Sequence, residues 1–186
     1  DHGTRETWRG FEFHRGRLEA RDVVAAKCGV GKTMAACLTQ RLVDTFEPSA
    51  IICTGLAGGL DPDLDVGDTV IARDCIQHDL DATALGFARG EVPYSQRRVL
   101  VCDPELVKLA AGVRPVTGRA RVGRVLTGDQ FLVTAHLTSY DYLRSELSGD
   151  AVEMEGASIG LVAEINEVPF LIIRSEEHTS ELQSLL

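Results

Sequence analysis

The chain has 186 residues, 44% hydrophobic and 25% charged, the composition of an ordinary globule rather than a disordered, collagen-like or coiled-coil chain. With 19 Lys and Arg against 28 Asp and Glu the formal net charge is −9, so a polyanion such as nucleic acid or an acidic membrane face is repelled on average. The longest clean apolar run, residues 168–173, is too short for a spanning helix.

In chain order, Phe11 and Phe13 alternate with polar neighbours, and Gly16 reads as a turn leading into residues 22–28, so the chain opens with a hairpin or two successive strands. Met34, Leu38, Leu42 and Phe46 recur every four residues and predict an amphipathic helix over 31–46, stopped by Pro48. A short apolar strand over 50–54 ends in Gly55-Leu56-Ala57-Gly58-Gly59, read as a glycine-rich turn. Residues 69–73 form a strand. The polar stretch 77–98, broken at Gly86, Gly90 and Pro93, is too long for a mere connector and reads as a functional loop. Then follow a helix over 105–111, a strand over 121–126, a helix over 134–147, a strand end at Val152, a helix over 157–165 and a strand over 170–173. Strands alternating with helices, with a glycine-rich segment at a strand end, predict an α/β fold whose ligand sits at strand ends.

The five cysteines (Cys28, Cys37, Cys53, Cys75, Cys102) are odd in number, lack CxxC spacing and sit mostly in apolar stretches. They are expected to be reduced, in a cytoplasmic protein. Residues 1–9 do not resemble a signal peptide, and the start at Asp1 predicts a chain already cut into. After the buried-strand pattern of 168–173 the text changes abruptly to RSEEHTSELQSLL, which reads like a translated sequencing adapter. The expectation is a partial domain over 1–173 followed by a non-native tail over 174–186.

Several segments are candidates for chemistry. Ala26-Lys27-Cys28-Gly29-Val30-Gly31-Lys32-Thr33 fits a relaxed phosphate-loop pattern, but Ala26 stands where the first glycine belongs, and the strand over 50–54 ends in no Asp to hold magnesium. Gly128-Asp129-Gln130-Phe131-Leu132 is another strand-end segment, in which Phe131 is a stacking face or core. In Val152-Glu153-Met154-Glu155-Gly156-Ala157 two carboxylates lie between a strand and a helix. Buried unpaired carboxylates are costly, so one of them is expected to meet a polyhydroxyl ligand or a positive partner. His78-Asp79-Leu80-Asp81 lacks a second histidine at usable spacing, and no metal site is expected.

Taken in order, CGVGK, TGLAGGLDPDLDVGD, HDLDATALGFARGEVP, TGDQFL and VEMEGAS resemble the methylthioadenosine/S-adenosylhomocysteine nucleosidase branch of the purine and uridine phosphorylase family, over about residues 9–173. The resemblance implies a single three-layer α/β/α domain with a mixed central sheet, and hydrolysis of the N-glycosidic bond of a 5′-thio-substituted adenosine to adenine and a thioribose. No cofactor is implied. Such a reaction builds positive charge on the ribose and needs an acid for the departing purine and a base for water. By resemblance, Glu155 binds the ribose hydroxyls and Met154 packs beneath the sugar, with Glu153 in the same substrate site. Phe131 stacks on adenine and the backbone of Leu132 meets its edge, while Val30, Ala57 and Gly58 line the pocket. Leu85, Phe87 and Pro93 close over the substrate of a partner subunit, which implies a homodimer.

The sequence also departs from the family. The family's water-activating Glu lies before the position matching Asp1, and its purine-protonating Asp falls at His178, so neither catalytic carboxylate is expected and the chain as written is expected to be inactive. Leu56, where the nucleosidases usually carry Ser or Thr, leaves the exact substrate open. The family's phosphorylases hold phosphate with an Arg and a Ser at the positions of Cys53 and Leu56, so hydrolysis is favoured over phosphorolysis. A purine nucleoside phosphorylase, or a nucleoside-binding protein without catalysis, is the alternative.

Overall fold

The computed structural model describes residues 3–132 and 140–176. Three antiparallel strands open the chain, β1 (Thr4–Trp8), β2 (Phe11–Leu18) and β3 (Arg21–Ala26). The expected hairpin is thus a three-stranded meander, and Gly16 is no turn: it lies within β2, paired with Val23. Arg9 and Gly10, both at positive φ, make the first reversal instead, as two-residue hairpin loops require.

Helix α1 (Lys32–Phe46) ends at Glu47, whose left-handed conformation lets its amide reach the Val43 carbonyl at 3.0 Å, ahead of Pro48. The expected stripe is displaced by one residue at its start: Ala35, Leu38 and Thr39 are buried, and Met34 is exposed. Leu38 packs with Phe11 and Phe13 of the meander, flanked by Leu42 and Phe46.

The main sheet contains β4 (Ile51–Gly59), β5 (Thr69–Gln77), β6 (Leu100–Val101), β7 (Ala120–Thr127), β8 (Ala151–Glu153) and β9 (Phe170–Glu176), in the order β6-β5-β7-β8-β4-β9. It is mixed: β5–β7, β7–β8 and β4–β9 are parallel, whereas β4–β8 and β5–β6 are antiparallel. A further antiparallel pairing of β5 with β9 ties the ends together. Three helices complete the described chain: α2 (Pro104–Ala111), capped by the Asp103 carboxylate, the short α3 (Tyr142–Ser145), and α4 (Gly156–Ile165). Most of the helix expected over 134–147 falls outside the described residues or is not helical; only α3 is seen.

Successive strand residues point to opposite faces. Cys75, Val125 and Ala151 enter a core with Ala157 and Ile159 of α4, whereas Ile76, Leu126 and Val152 enter a second core with Leu132, Leu143 and Leu147. Burial on both faces makes the sheet the middle layer of the expected three-layer α/β fold.

Two boundaries differ in ways that matter for the site. Strand β4 runs straight through the glycines expected to form a turn. Gly55 lies opposite Arg174 of β9, and a Cβ there would come within 2.3 Å of the Arg174 Nη1 atom, so the glycine makes room for a guanidinium. The last strand does not stop at Ile173: it continues to Glu176, three residues into the stretch set aside as tail, and Arg174 is buried there.

Candidate active site

A groove of about 1050 Å³ lies between β3 and β4, with Cys28, Cys53, Leu56, Glu155 and Arg174 among its walls. The two carboxylates of the VEMEG segment occupy different environments. Glu153 ends β8 and turns into the protein. Its carboxylate accepts bonds from the Glu155 amide at 2.9 Å, from the Gly156 amide at 2.9 and 2.8 Å, from the Thr127 hydroxyl and from the Arg174 guanidinium. The side chains of Arg174 and Glu153 are 3% and 2% exposed, so this is a buried ion pair. Glu153 therefore meets the positive partner anticipated for one of the two carboxylates, and its oxygens are occupied by the protein itself.

Glu155 follows a change of backbone direction at Met154 and faces the groove. Its Oε1 accepts the Gly31 amide at 2.9 Å and its Oε2 lies 3.7 Å from the Arg174 guanidinium. Burial raises its pKa above the usual carboxylate value, against the pull of the Gly31 amide, and the Glu153 charge adds to the rise. Arg174 also donates to the Cys53 sulfur at 3.4 Å, while burial pushes the Cys53 thiol up to about 11, which keeps it neutral. The position read as lacking a cation thus has one nearby, supplied by β9 and already engaged by Glu153.

Next to Gly31, whose amide binds Glu155, Lys32 opens α1. Its ammonium lies 2.7 Å from Asp79 Oδ1 and 3.8 Å from Asp129 Oδ2, and its amide donates to Asp129 Oδ1 at 2.8 Å. The Gly31 and Lys32 amides and the lysine charge all meet carboxylates, so the phosphate-loop pattern is not used for phosphate here. Residues of the HDLD segment diverge: His78 Nδ1 pairs with the Tyr142 hydroxyl at 3.0 Å, Asp79 with Lys32, and Asp81 with Thr83. No group of three or more potential ligands is placed to hold a metal among the described residues.

The other expected site residues are dispersed around this centre. Phe131 is 53% exposed two residues beyond Asp129, and Leu132 is buried against Leu126 and Val152. Val30 is exposed beside Gly29, Ala57 is buried, and Gly58 pairs with Val152; none of these three lines the groove. Leu85 closes a 3-10 turn (Thr83–Leu85) with its side chain exposed, Phe87 stands edge-on to Tyr94 at 5.2 Å, and Pro93 follows the bridge residue Val92. Position 178 lies outside the described residues.

The Phosphorylase superfamily pattern matches residues 2–179. The chain belongs to that superfamily. A 5′-methylthioadenosine/S-adenosylhomocysteine nucleosidase of Tolumonas auensis is 37% identical over 169 residues, which is 89% of this chain and 72% of that protein. Among solved structures, the Colwellia psychrerythraea nucleosidase of the same name, in complex with adenine, superposes with a TM-score of 0.87 at 32% identity, covering 95% of this chain and 73% of that one. The Neisseria meningitidis nucleosidase with methylthio-immucillin-A gives 0.87 at 31% identity, covering 96% and 77%. This superfamily member thus has nucleosidases as relatives and their mixed α/β architecture.

Sequence reasoning missed Arg174, which lay within the stretch set aside as tail. One signal pointed to it: two carboxylates two residues apart, one needing a cation. Thr127 stood at the head of the TGDQFL motif but was given no role of its own, because a hydroxyl at the end of an apolar strand looks like any strand threonine.

Proposed function

We propose that this chain recognises the nucleoside in an N-ribosyl hydrolase that splits 5′-methylthioadenosine or S-adenosylhomocysteine into adenine and a thioribose. The observation that carries this reading is the half-buried carboxylate of Glu155 on the groove wall, with Oε1 bonded to the Gly31 amide and Oε2 3.7 Å from the Arg174 guanidinium. A ribose diol supplies two O–H donors to such a carboxylate, and charge-assisted bonds of this kind are the strong ones. As the glycosidic bond breaks, the same negative charge faces the growing positive charge of the sugar.

In this reading Glu155 holds the 2′- and 3′-hydroxyls, Met154 packs under the ring, and Glu153 positions Glu155 through its amide. Phe131 offers its exposed ring to the base and Leu132 its backbone. Leu85, Phe87 and Pro93 belong to a loop that closes over the 5′ substituent of a second copy's substrate, making the protein a homodimer. We take it to be cytoplasmic on the strength of its five free thiols.

Water is favoured over phosphate as the nucleophile. At the positions where the family's phosphorylases carry their Arg and Ser, Cys53 is neutral and Leu56 is apolar, and the nearby Arg174 is already paired with Glu153. Titration calorimetry of the purified chain with adenine, 5′-methylthioadenosine and inorganic phosphate tests the reading, alongside adenine release with and without phosphate. Nucleoside binding without phosphate binding is expected. Failure to bind adenine and nucleoside alike, or phosphate-dependent formation of 5-methylthioribose-1-phosphate, overturns it.

A further inference from the structure

Helix α1 begins without a side-chain cap of its own: its N-cap residue is Gly31, which has no side chain to offer. Its first amides are satisfied from outside. Gly31 N–H donates to Glu155 at 2.9 Å and Lys32 N–H to Asp129 Oδ1 at 2.8 Å. Adjacent amides therefore grip two loops that lie far apart in sequence. The Lys32 side chain closes a ring: its ammonium binds Asp79 Oδ1 at 2.7 Å, Asp79 Oδ2 accepts the Asp129 amide at 2.8 Å, and Asp129 returns to the Lys32 amide. The Lys32 carbonyl is fixed as well, accepting the Ser158 hydroxyl of α4 at 2.6 Å.

The ring is partly sheltered, with the Lys32 and Asp79 side chains 18% and 21% exposed. Burial works to raise the Asp79 pKa, yet the Lys32 ammonium and the Asp129 amide hold its carboxyl below the usual range. Without the ammonium, two carboxylates, Asp79 and Asp129, would share one pocket of space with no counter-charge. Like charges so placed repel, and the segment that gives way first is the loop carrying Asp129, since loops yield before a helix buried against α4. That loop leads directly to Phe131 and Leu132.

We propose that Lys32 is a positioning residue for base recognition. Its ammonium sets the Asp129–Leu132 segment relative to Glu155, so that the base end and the sugar end of the pocket are registered to each other by the Gly31-Lys32 peptide. The inference rests on the nucleoside reading of the site, but it is separable from it. The chemistry is that of a purine nucleoside held at two points, where an error in the spacing costs affinity for the whole ligand more than for its ribose end.

The test is calorimetry of adenine and 5′-methylthioadenosine with the purified chain and the variants Lys32→Met, Lys32→Arg and Asp79→Asn, at a temperature well below every variant's Tm. Lys32→Met keeps the length and removes the charge. It is expected to weaken 5′-methylthioadenosine binding about tenfold, the scale of one lost hydrogen bond to a charged group, and to weaken binding of free adenine, which is held at one end only, by less. Lys32→Arg, which keeps the charge, is expected to restore most of that loss, and Asp79→Asn to reproduce it. A merely structural lysine would lower Tm and leave 5′-methylthioadenosine affinity in the folded protein unchanged. If the unaltered chain binds 5′-methylthioadenosine and Lys32→Met binds it equally well, the positioning role is overturned and the site reading stands. Should Lys32→Met not fold, Asp79→Asn decides on the same two outcomes. If the unaltered chain binds neither ligand, the site reading falls and takes this inference with it.

Discussion

Replacing Arg174 by Met removes the cation from a pair whose side chains are 3% and 2% exposed. Glu153 keeps its bonds from the Glu155 and Gly156 amides and from Thr127, but its charge loses the only guanidinium bonded to it among the described residues. Breaking a buried pair from one side costs about 3–5 kcal/mol, because the remaining charge is left in a medium that solvates it poorly. In a chain of this length each kcal/mol moves Tm by about 2–4 °C, so the expected loss is roughly 6–20 °C. Glu153→Gln is expected to cost less, since Arg174 then turns to Glu155, whose Oε2 is already 3.7 Å away. The double variant, with no buried charge left at either position, is expected to be more stable than the sum of the singles by about 0.5–3 kcal/mol. Urea unfolding followed by circular dichroism measures all four proteins. An Arg174→Met protein within about 1 kcal/mol of the unaltered chain, or singles that add to the double within about 0.5 kcal/mol, would refute the pair as a structural element and return β9 beyond Ile173 to the tail.

Three further substitutions, with Gly16→Ala as a comparison, probe the site from different sides. Glu155→Gln is expected to weaken 5′-methylthioadenosine binding about tenfold or more while leaving adenine affinity near its starting value, read by calorimetry. Because the folded protein raises the Glu155 pKa, the folded state binds more protons and stability falls as pH rises past the unfolded carboxylate value. Glu155→Gln should therefore flatten that fall, so its Tm at neutral pH is expected to equal or exceed that of the unaltered chain. Gly55→Ala places a methyl 2.3 Å from Arg174 Nη1 and is expected to cost about 1–3 kcal/mol, whereas Gly16→Ala, with nothing within 4 Å, should be neutral or stabilising in the same unfolding assay. Phe131→Ala removes a 53% exposed ring and is expected to lose about 1–3 kcal/mol of adenine affinity with little change in Tm.

Elements with strong periodicity were legible in the sequence. Helices α1, α2 and α4 and strands β7 and β9 each show a run of apolar residues at the right period, bounded by Pro, Gly or a capping Asp. What was not legible had no such signature. β1 is almost wholly polar, its residues largely exposed, so it shows no apolar alternation by which to recognise a strand. The glycines of β4 read as a turn because a sequence shows missing side chains but not what fills their place, here the guanidinium of Arg174. The charged residues show the same limit. Lys32, Asp79 and Asp129 each stood in a segment weighed for its own chemistry, as phosphate ligand, metal ligand and strand-end motif. Their common role is a contact between segments 47 and 97 positions apart, which no local pattern encodes.

The division of labour between Glu153 and Glu155 follows from a change of direction within three residues. Glu153 is the last residue of β8, whereas Glu155 is the N-cap of α4, so the side chains leave the backbone toward different surroundings. Glu153 meets an arginine, a hydroxyl and two amides, which is about as many donors as a carboxylate accepts. Glu155 meets one amide and a guanidinium at 3.7 Å, and its partial burial without enough donors is what raises its pKa. A half-satisfied carboxylate is costly to the empty protein and is relieved by any ligand bringing two hydroxyls. In the proposed reading, the free energy missing from the unliganded fold at Glu155 is recovered on binding a diol, and the satisfaction of Glu153 is what holds that neighbour in place.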